Sequence, residues 1–414
     1  MRVYLDETVL EHTKERIRYI IEEFDDIVVS VSGGKDSGVT FHLVKQVAEE
    51  MGELPIYCLW LDQESEYQST VDIVEHQMTQ DGVIPLWGQI HMEITNGAGH
   101  ENEVFDAWDP ELTDEEYMRP KHDLAITENT YGSKSLDALF ARVVHKEVGG
   151  YELEKGKDYP NDIAILGGVR AEESPNRKHA LTGNPTYKGI TYGRRSMTWA
   201  PTSFYPLYDW TYSDIWKYTY ENDLKYNDIY DYQYRHGVQI QDMRVSHLHH
   251  QQAVGAVFNL QEFEPETYNK LVDRVEGIHA TASLDEEGLS PDELPFMFED
   301  WREYRNYLLE KLIDDPEKRE GLLKHFFKHD LMTEHKENYS SIVRTHIYAI
   351  LTNDTRDFDS LKDMTTNIRS DETKEVKLRK LAHLKENEPE TFRDLYERGY
   401  ISHFERNNVE EMTA

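Results

Sequence analysis

Ile27-Val28-Val29-Ser30-Val31-Ser32-Gly33-Gly34-Lys35-Asp36-Ser37 is the stretch that decides the fold. Ile27, Val28, Val29 and Val31 form a short run rich in β-branched side chains, which reads as a parallel strand buried on both faces. Beyond Ser37, Phe41, Leu43, Val44 and Val47 recur at helical spacing. A strand, a glycine turn and a helix in that order bring the first free N–H groups of the helix to the turn, where an anion is favoured. Gly33 and Gly34 let the backbone turn tightly and approach a ligand. Ser32 and Ser37 add hydroxyl donors and Lys35 adds a positive charge. Asp36 either caps the helix or helps hold a cation. The spacing is not the Gly-x-x-x-x-Gly-Lys-[Ser/Thr] of a Walker A loop. The plainer alternative is a turn that only joins a strand to a helix.

Outward from this stretch the alternation continues. Residues 7–24 read as an amphipathic helix, Ile56–Leu61 as a second strand, and Val83–His91 contains a third. After a long acidic, aromatic stretch from Thr95 to Tyr131, Ser135–Val148 reads as a helix and Ile163–Leu166 as a fourth strand. Strands alternating with helices argue for an α/β fold with a parallel sheet. Beyond about Asp231 the pattern turns helical. Helices are expected from Glu264-Pro265, over Leu294–Leu312, Pro316–Met332, Ser340–Leu351, Val376–Leu384 and Pro389–Arg398. The expected division is an α/β domain over 1–235, a connecting segment over 236–290 and a mainly α-helical C-terminal domain over 291–414.

Composition narrows the function. The chain has 414 residues and a formal charge of −35, which argues against coating nucleic acid non-specifically, because such binding needs Lys and Arg against phosphates. Its aromatic content of 11% is not that of a disordered acidic chain. Cys58 is the single cysteine, so an internal disulfide, a Cys-rich zinc site and a Cys-ligated iron–sulfur cluster are all excluded. With no apolar stretch of membrane-spanning length and no signal-like N-terminus, a soluble cytoplasmic protein is expected.

Ser32-Gly33-Gly34-Lys35-Asp36-Ser37 resembles the PP-loop of the ATP pyrophosphatase superfamily. That resemblance implies an adenine nucleotide alpha hydrolase-like fold, ATP as ligand and Mg²⁺ as its companion. Leu166-Gly167-Gly168-Val169-Arg170-Ala171-Glu172-Glu173-Ser174, with Arg177 three residues on, resembles the second motif of phosphoadenosine phosphosulfate (PAPS) reductases and their relatives. Physically, Gly167 and Gly168 free the backbone at a strand end, where open α/β sheets bind ligands. Arg170 and Arg177 can grip phosphate or sulfate through their planar forks, with Glu173 orienting an arginine; a structural ion-pair network is the alternative. Pro206-Leu207-Tyr208-Asp209-Trp210 resembles a further segment of the same enzymes. It is expected to start a helix at Thr211 or Ser213 and to pack on the sheet, with Asp209 in reach of the site. Asp62, closing the second strand, falls where the family places an acid near the nucleotide. The expected nucleotide-binding set is therefore Ser32, Gly33, Gly34, Lys35, Asp36, Ser37, Asp62, Gly168, Arg170, Glu173, Ser174 and Arg177. Lys35 and Arg170 are expected to be catalytic and Asp36 to be a candidate Mg²⁺ ligand.

The reductases use a cysteine in a C-terminal Glu-Cys-Gly-[Leu/Ile]-His segment, which this sequence lacks. Cys58 sits inside an apolar strand and reads as buried. The remainder, including Asp242-Met243-Arg244-Val245, Phe258-Asn259-Leu260 and Lys270–Gly277, resembles immunoglobulin-binding regulator A proteins. These are PAPS-reductase-like co-activators with a C-terminal extension and a ParB-like partner. The resemblance implies ATP cleavage at the α-phosphate with adenylylation of an acceptor, or nucleotide sensing by a co-activator, in either case as a possible homo-oligomer. Arg194-Arg195 reads as a basic loop facing the site or as a solvated turn. His247, His249 and His250, with His236 nearby, read as a polar loop rather than a metal site.

Overall fold

The computed structural model describes residues 6–96, 104–154, 162–173, 186–195, 201–240, 243–245, 247–248, 260–275, 278, 293–351, 359–368 and 370–413. They divide into two compact units. The first takes in residues up to Leu248, apart from 95–104, together with Leu260–Arg274. The second is formed by the helical remainder from Val275 onward.

The strands of the first unit are β1 (Asp26–Ser30), β2 (Ile56–Leu61), β3 (Val83–Gly88), β4 (Met92–Thr95), β5 (Val104–Ala107), β6 (Ala125–Ile126), β7 (Ile163–Gly167), β8 (Thr186–Tyr187), β9 (Ile190–Arg195) and β10 (Thr202–Phe204). Eight of them form one sheet in the order β6-β3-β2-β1-β7-β10-β9-β8. From β6 to β10 every neighbour is parallel; β9 alone runs against the rest, and β8, antiparallel to β9, returns to their direction. The helices are α1 (Val9–Glu23), α2 (Lys35–Met51), α3 (Gln68–Met78), α4 (Leu136–Glu147), α5 (Tyr212–Glu221), α6 (Ile229–Arg235) and α7 (Pro265–Arg274). This is an α/β domain with a mostly parallel sheet, followed by a helical region.

β1 has no polar face because it is covered on both sides: Val28 and Val29 are both fully buried. Its register puts Val29 between Cys58 of β2 and Leu166 of β7. Cys58 is thus in the centre of the sheet, fully buried, and burial raises its thiol pKa well above the ordinary value. Such a thiol is inert.

The strand order fixes where ligands bind. After β1 the chain builds β2 and β3 on one side, then returns to lay β7 on the other. The carboxyl ends of β1 and β7 therefore flank a topological switch point, the crevice that open α/β sheets use.

The Pro206–Trp210 segment clamps α1. Trp210 Nε1 donates to Thr13 Oγ1 at 2.8 Å, and the Pro206 carbonyl accepts from Arg16 Nη1 at 2.9 Å. Arg16 also makes a two-pronged pair with Asp209 at 2.7 and 2.6 Å, and its guanidinium sits 4.7 Å from the Tyr208 ring centre. Asp209 is thus spent on α1, which corrects the expectation that it reaches the site. Thr211 caps α5 in a capping box with Asp214. Arg194 and Arg195 are likewise corrected. They are strand residues of β9, paired with Ser203 and Thr202 at the start of β10. That is the opposite end of the parallel strands from Gly33 and Gly168, so they form no basic loop over the site.

The second unit contains α8 (Trp301–Leu312), α9 (Pro316–Thr333), α10 (Tyr339–Leu351), α11 (Asp359–Ile368), α12 (Asp371–Asn387), α13 (Pro389–Glu397) and α14 (His403–Met412). Leu308, Leu309, Leu322, Phe326, Ile347 and Ile350 form one apolar cluster, and Leu381, Phe392, Tyr400, Ile401 and Val409 another. The expected linker over 281–293 lies almost wholly outside the described residues. Among the described residues no helix is long and apolar enough to cross a membrane.

Candidate functional site

The loop Ser32–Ser37 leaves β1 at the switch point and enters α2 with Gly34 as N-cap. Gly33 has φ +68°, and a Cβ on it would stand 2.6 Å from Thr70 Cγ2 in the first turn of α3. Only glycine satisfies both constraints. Ser37 Oγ donates to the Gly34 carbonyl at 3.0 Å and accepts from Ser32 N at 3.2 Å, closing the loop on itself. Asn227, 1% exposed, donates to Thr70 Oγ1 at 2.9 Å and to the Gly33 carbonyl at 3.4 Å.

A second glycine makes room from the other side. A Cβ on Gly168, just after β7, would lie 2.6 Å from both Asp36 C and Ser37 N. The bare backbone after β7 thus packs directly on the first turn of α2, which brings Arg170 to Asp36.

Lys35, Asp36 and Arg170 are 8%, 8% and 3% exposed, so charges of both signs are compensated inside the protein. Arg170 Nε donates to Asp36 Oδ1, and Lys35 Nζ is 3.3 Å from Asp36 Oδ2. Glu173 Oε2 accepts from Arg170 N at 3.1 Å. Lys35 Nζ also donates to the Met243 carbonyl at 2.9 Å, and Lys35 N donates to the Tyr230 hydroxyl at 3.0 Å. Burial, with the charges of Asp36 and Glu173 adding, holds the Tyr230 phenol far above its ordinary pKa, so it stays protonated. Because both oxygens of Asp36 face cations, that carboxylate does not fit the Mg²⁺ role expected of it.

Asp62 is fully buried and already holds four donors. These are Glu64 N at 2.9 Å, Trp87 Nε1 at 3.0 Å, Gln89 Nε2 at 2.9 Å and Arg119 Nη2. An ionised carboxylate offers about four lone-pair sites, which leaves none for a ribose or an adenine. Glu64, equally buried and at φ +66°, is held by Arg274 at 2.7 and 3.0 Å. Asp62 and Glu64 therefore build the floor at the end of β2 rather than a nucleotide contact.

The structure thus brings together Ser32, Gly33, Gly34, Lys35, Asp36, Ser37, Gly168, Arg170 and Glu173. Asp62 is set apart by its partners, and Ser174 and Arg177 lie outside the described residues. Sequence reasoning missed Asn227, Tyr230 and Arg119. Of the histidines, His249 and His250 lie outside the described residues. His247 Nδ1 is 2.6 Å from Glu66 Oε1 and its Nε2 is 2.7 Å from Gln63 Nε2. Burial opposes the His247 imidazolium, but Glu66 and Asp62 together outweigh it and raise its pKa.

The family model for the phosphoadenosine phosphosulfate reductase domain matches residues 26–236. The uncharacterized protein YbdN of Escherichia coli (strain K12) is 26% identical over 333 residues, 77% of this chain and 78% of that protein. Among solved structures, the PAPS reductase of Candida auris in a phosphate complex has a TM-score of 0.32 at 14% identity, covering 60% of this chain and 99% of that one. FMN adenylyltransferase of Candida glabrata with FMN and the ATP analog AMPCPP also has a TM-score of 0.32, at 13% identity, covering 56% and 64%.

Proposed function

Because the chain belongs to the phosphoadenosine phosphosulfate reductase domain family, we propose that it binds ATP on the Ser32–Ser37 loop and uses it for adenylyl transfer rather than for thiol-based reduction. The observation that carries this reading is the loop itself, a helix N-terminus opening on the switch-point crevice between two glycines that admit no Cβ. The lack of any cysteine but the buried Cys58 removes the reductase chemistry.

In the proposed step a nucleophilic O–H or N–H of the acceptor attacks the α-phosphorus and gives up its proton to water. The bond to the bridging oxygen of the β-phosphate breaks, and pyrophosphate leaves. The chain supplies position and charge. Backbone N–H groups of residues 33–37 and the Lys35 ammonium, released from the Met243 carbonyl, meet the pyrophosphate. Arg170 acts through Asp36, which it fixes beside the loop, and is therefore a positioning residue.

Calorimetric titration of ATP tests this. Lys35→Ala should weaken ATP binding about 10- to 100-fold, the worth of a charge-assisted bond, in a chain that still folds at a lowered melting temperature, because the variant removes one partner of the buried Lys35–Asp36 pair. Unchanged affinity in the folded variant would sink the assignment. A second reading is favoured by the Tyr230 and Met243 contacts, which already occupy two donors of Lys35. In it the chain is a nucleotide-sensing co-activator working with a ParB-like partner. Pyrophosphate release measured with and without such a partner separates the two: turnover rejects a pure sensor, and tight binding without turnover favours it.

A further inference from the structure

α5 and α6 each carry an aromatic pair at i, i+4, Tyr212 with Trp216 and Tyr230 with Tyr234, and such pairs share one helix face. With Tyr226 and Met243 they line a pocket of about 440 Å³. Its walls are mutually fixed. The Trp216 ring meets Tyr226 at 5.3 Å and 87° and Tyr230 at 5.4 Å and 86°, both edge-to-face. The described lining contains no Lys, Arg or His and one carboxylate, Asp231, which accepts from the Tyr226 hydroxyl at 3.0 Å. Aromatic faces with a carboxylate attract cations and flat rings and repel anions.

The pocket is tied to the phosphate loop by hydrogen bonds from two of its own residues. The Tyr230 ring forms a wall while its hydroxyl holds Lys35 N. Met243 lines the pocket while its carbonyl holds Lys35 Nζ. We propose that this pocket is the acceptor site, and that the acceptor is a flat aromatic molecule of neutral or positive charge. The proposal deepens the adenylyl-transfer reading and rests on it for the word acceptor, although ring binding is measured without nucleotide. A ring seated here would bear on the residues that occupy the Lys35 donors, so acceptor and ATP should each strengthen the binding of the other.

The test uses two probes with the same ring and opposite charge, tryptamine and indole-3-acetate, each titrated into the full chain by saturation-transfer NMR. Tryptamine should bind and indole-3-acetate should not. Tyr234 and Ile240 are 65% and 39% exposed, so variants at either should fold. Tyr234→Ala should weaken tryptamine about three- to fivefold, the worth of one cation–π wall. Ile240→Lys should reverse the charge preference, a readout that a merely structural role would not move. Equal signals for both probes, no signal for either, or no effect of both variants would overturn the pocket. Displacement of tryptamine by adenosine would make it the base pocket of the nucleotide and overturn the acceptor assignment. A failure to release pyrophosphate with tryptamine still bound would count against adenylyl transfer alone.

Discussion

Gly168→Ala should lower ATP affinity by about two orders of magnitude and reduce the melting temperature of the first unit. The added Cβ would lie 2.6 Å from Asp36 C and Ser37 N and 2.7 Å from Asp36 O. These are backbone atoms of a helix start, so no side-chain rotation relieves the contact. Retreat of Gly168 is also resisted, because β7 just before it is paired with β1 on one side and β10 on the other. Overpacking of this kind costs about 1–3 kcal/mol. The part of the strain that is relaxed must appear as a shift of the loop, and a misplacement of ~1 Å is enough for about a hundredfold loss where geometry sets function. Gly34→Ala is the control. Gly34 has φ −85°, and its Cβ would meet Ser32 Oγ and Tyr230 Oη at 3.4 Å, within ordinary contact. A Gly168→Ala chain with wild-type melting and wild-type ATP titration would show that the second glycine does not shape the site.

The same comparison shows what was legible in the sequence. The loop could be read because its constraints are local: a β-branched run, two glycines and a helical period within some twenty residues. The partners of the loop could not. Tyr230 reaches Lys35 across 195 residues and Asn227 reaches Gly33 across 194, and neither carries a motif. Asp62 was legible as an acid at a strand end. Its role was not, because Trp87, Gln89 and Arg119, which saturate it, lie 25, 27 and 57 residues further along the chain. Asp209 misled for the same reason, since its partner Arg16 lies 193 residues earlier. In the tail, α14 had a usable signal that was passed over, the capping box Ser402-x-x-Glu405. α11 had little. Its apolar residues are few, and part of its role is to bring Thr365 to a buried polar chain.

That chain carries the second large effect: Arg305→Met should destabilise the helical unit by about 3–5 kcal/mol, the cost of breaking a buried ion pair from one side. Arg305 is 3% exposed and holds Asp330 with two parallel bonds at 3.0 and 3.1 Å. Methionine keeps much of the packing over Phe326 but leaves the carboxylate with Tyr339 at 2.9 Å as its hydrogen-bond donor among the described residues. The pair also sets the histidines. Arg305 Nη1 can only donate, so His346 Nδ1, 3.1 Å away, accepts. His346 Nε2–H then donates to His329 Nδ1 at 2.9 Å, and His329 Nε2–H donates to Thr365 Oγ1 at 2.7 Å. Thr365 passes its own proton to the Leu361 carbonyl at 2.8 Å. Both imidazoles are therefore neutral. Burial, with His325 and the nearby cations adding, lowers His329 to about 4, and burial with Arg305 lowers His346 well below its ordinary value. The sign follows: between pH 6.5 and about 4 the unfolded histidines bind protons and the folded ones do not, so stability is full above pH 6.5 and falls with pH through this window. For His329 alone, which is fully buried, the loss is on the order of 3 kcal/mol. Hydrogen exchange of the amides of α8–α11 at pH 7.5 and 5.0, with urea unfolding alongside, measures both effects. Slow exchange that is unchanged at pH 5.0, or an Arg305→Met chain as stable as the wild type, would mean that the buried chain does not hold these helices.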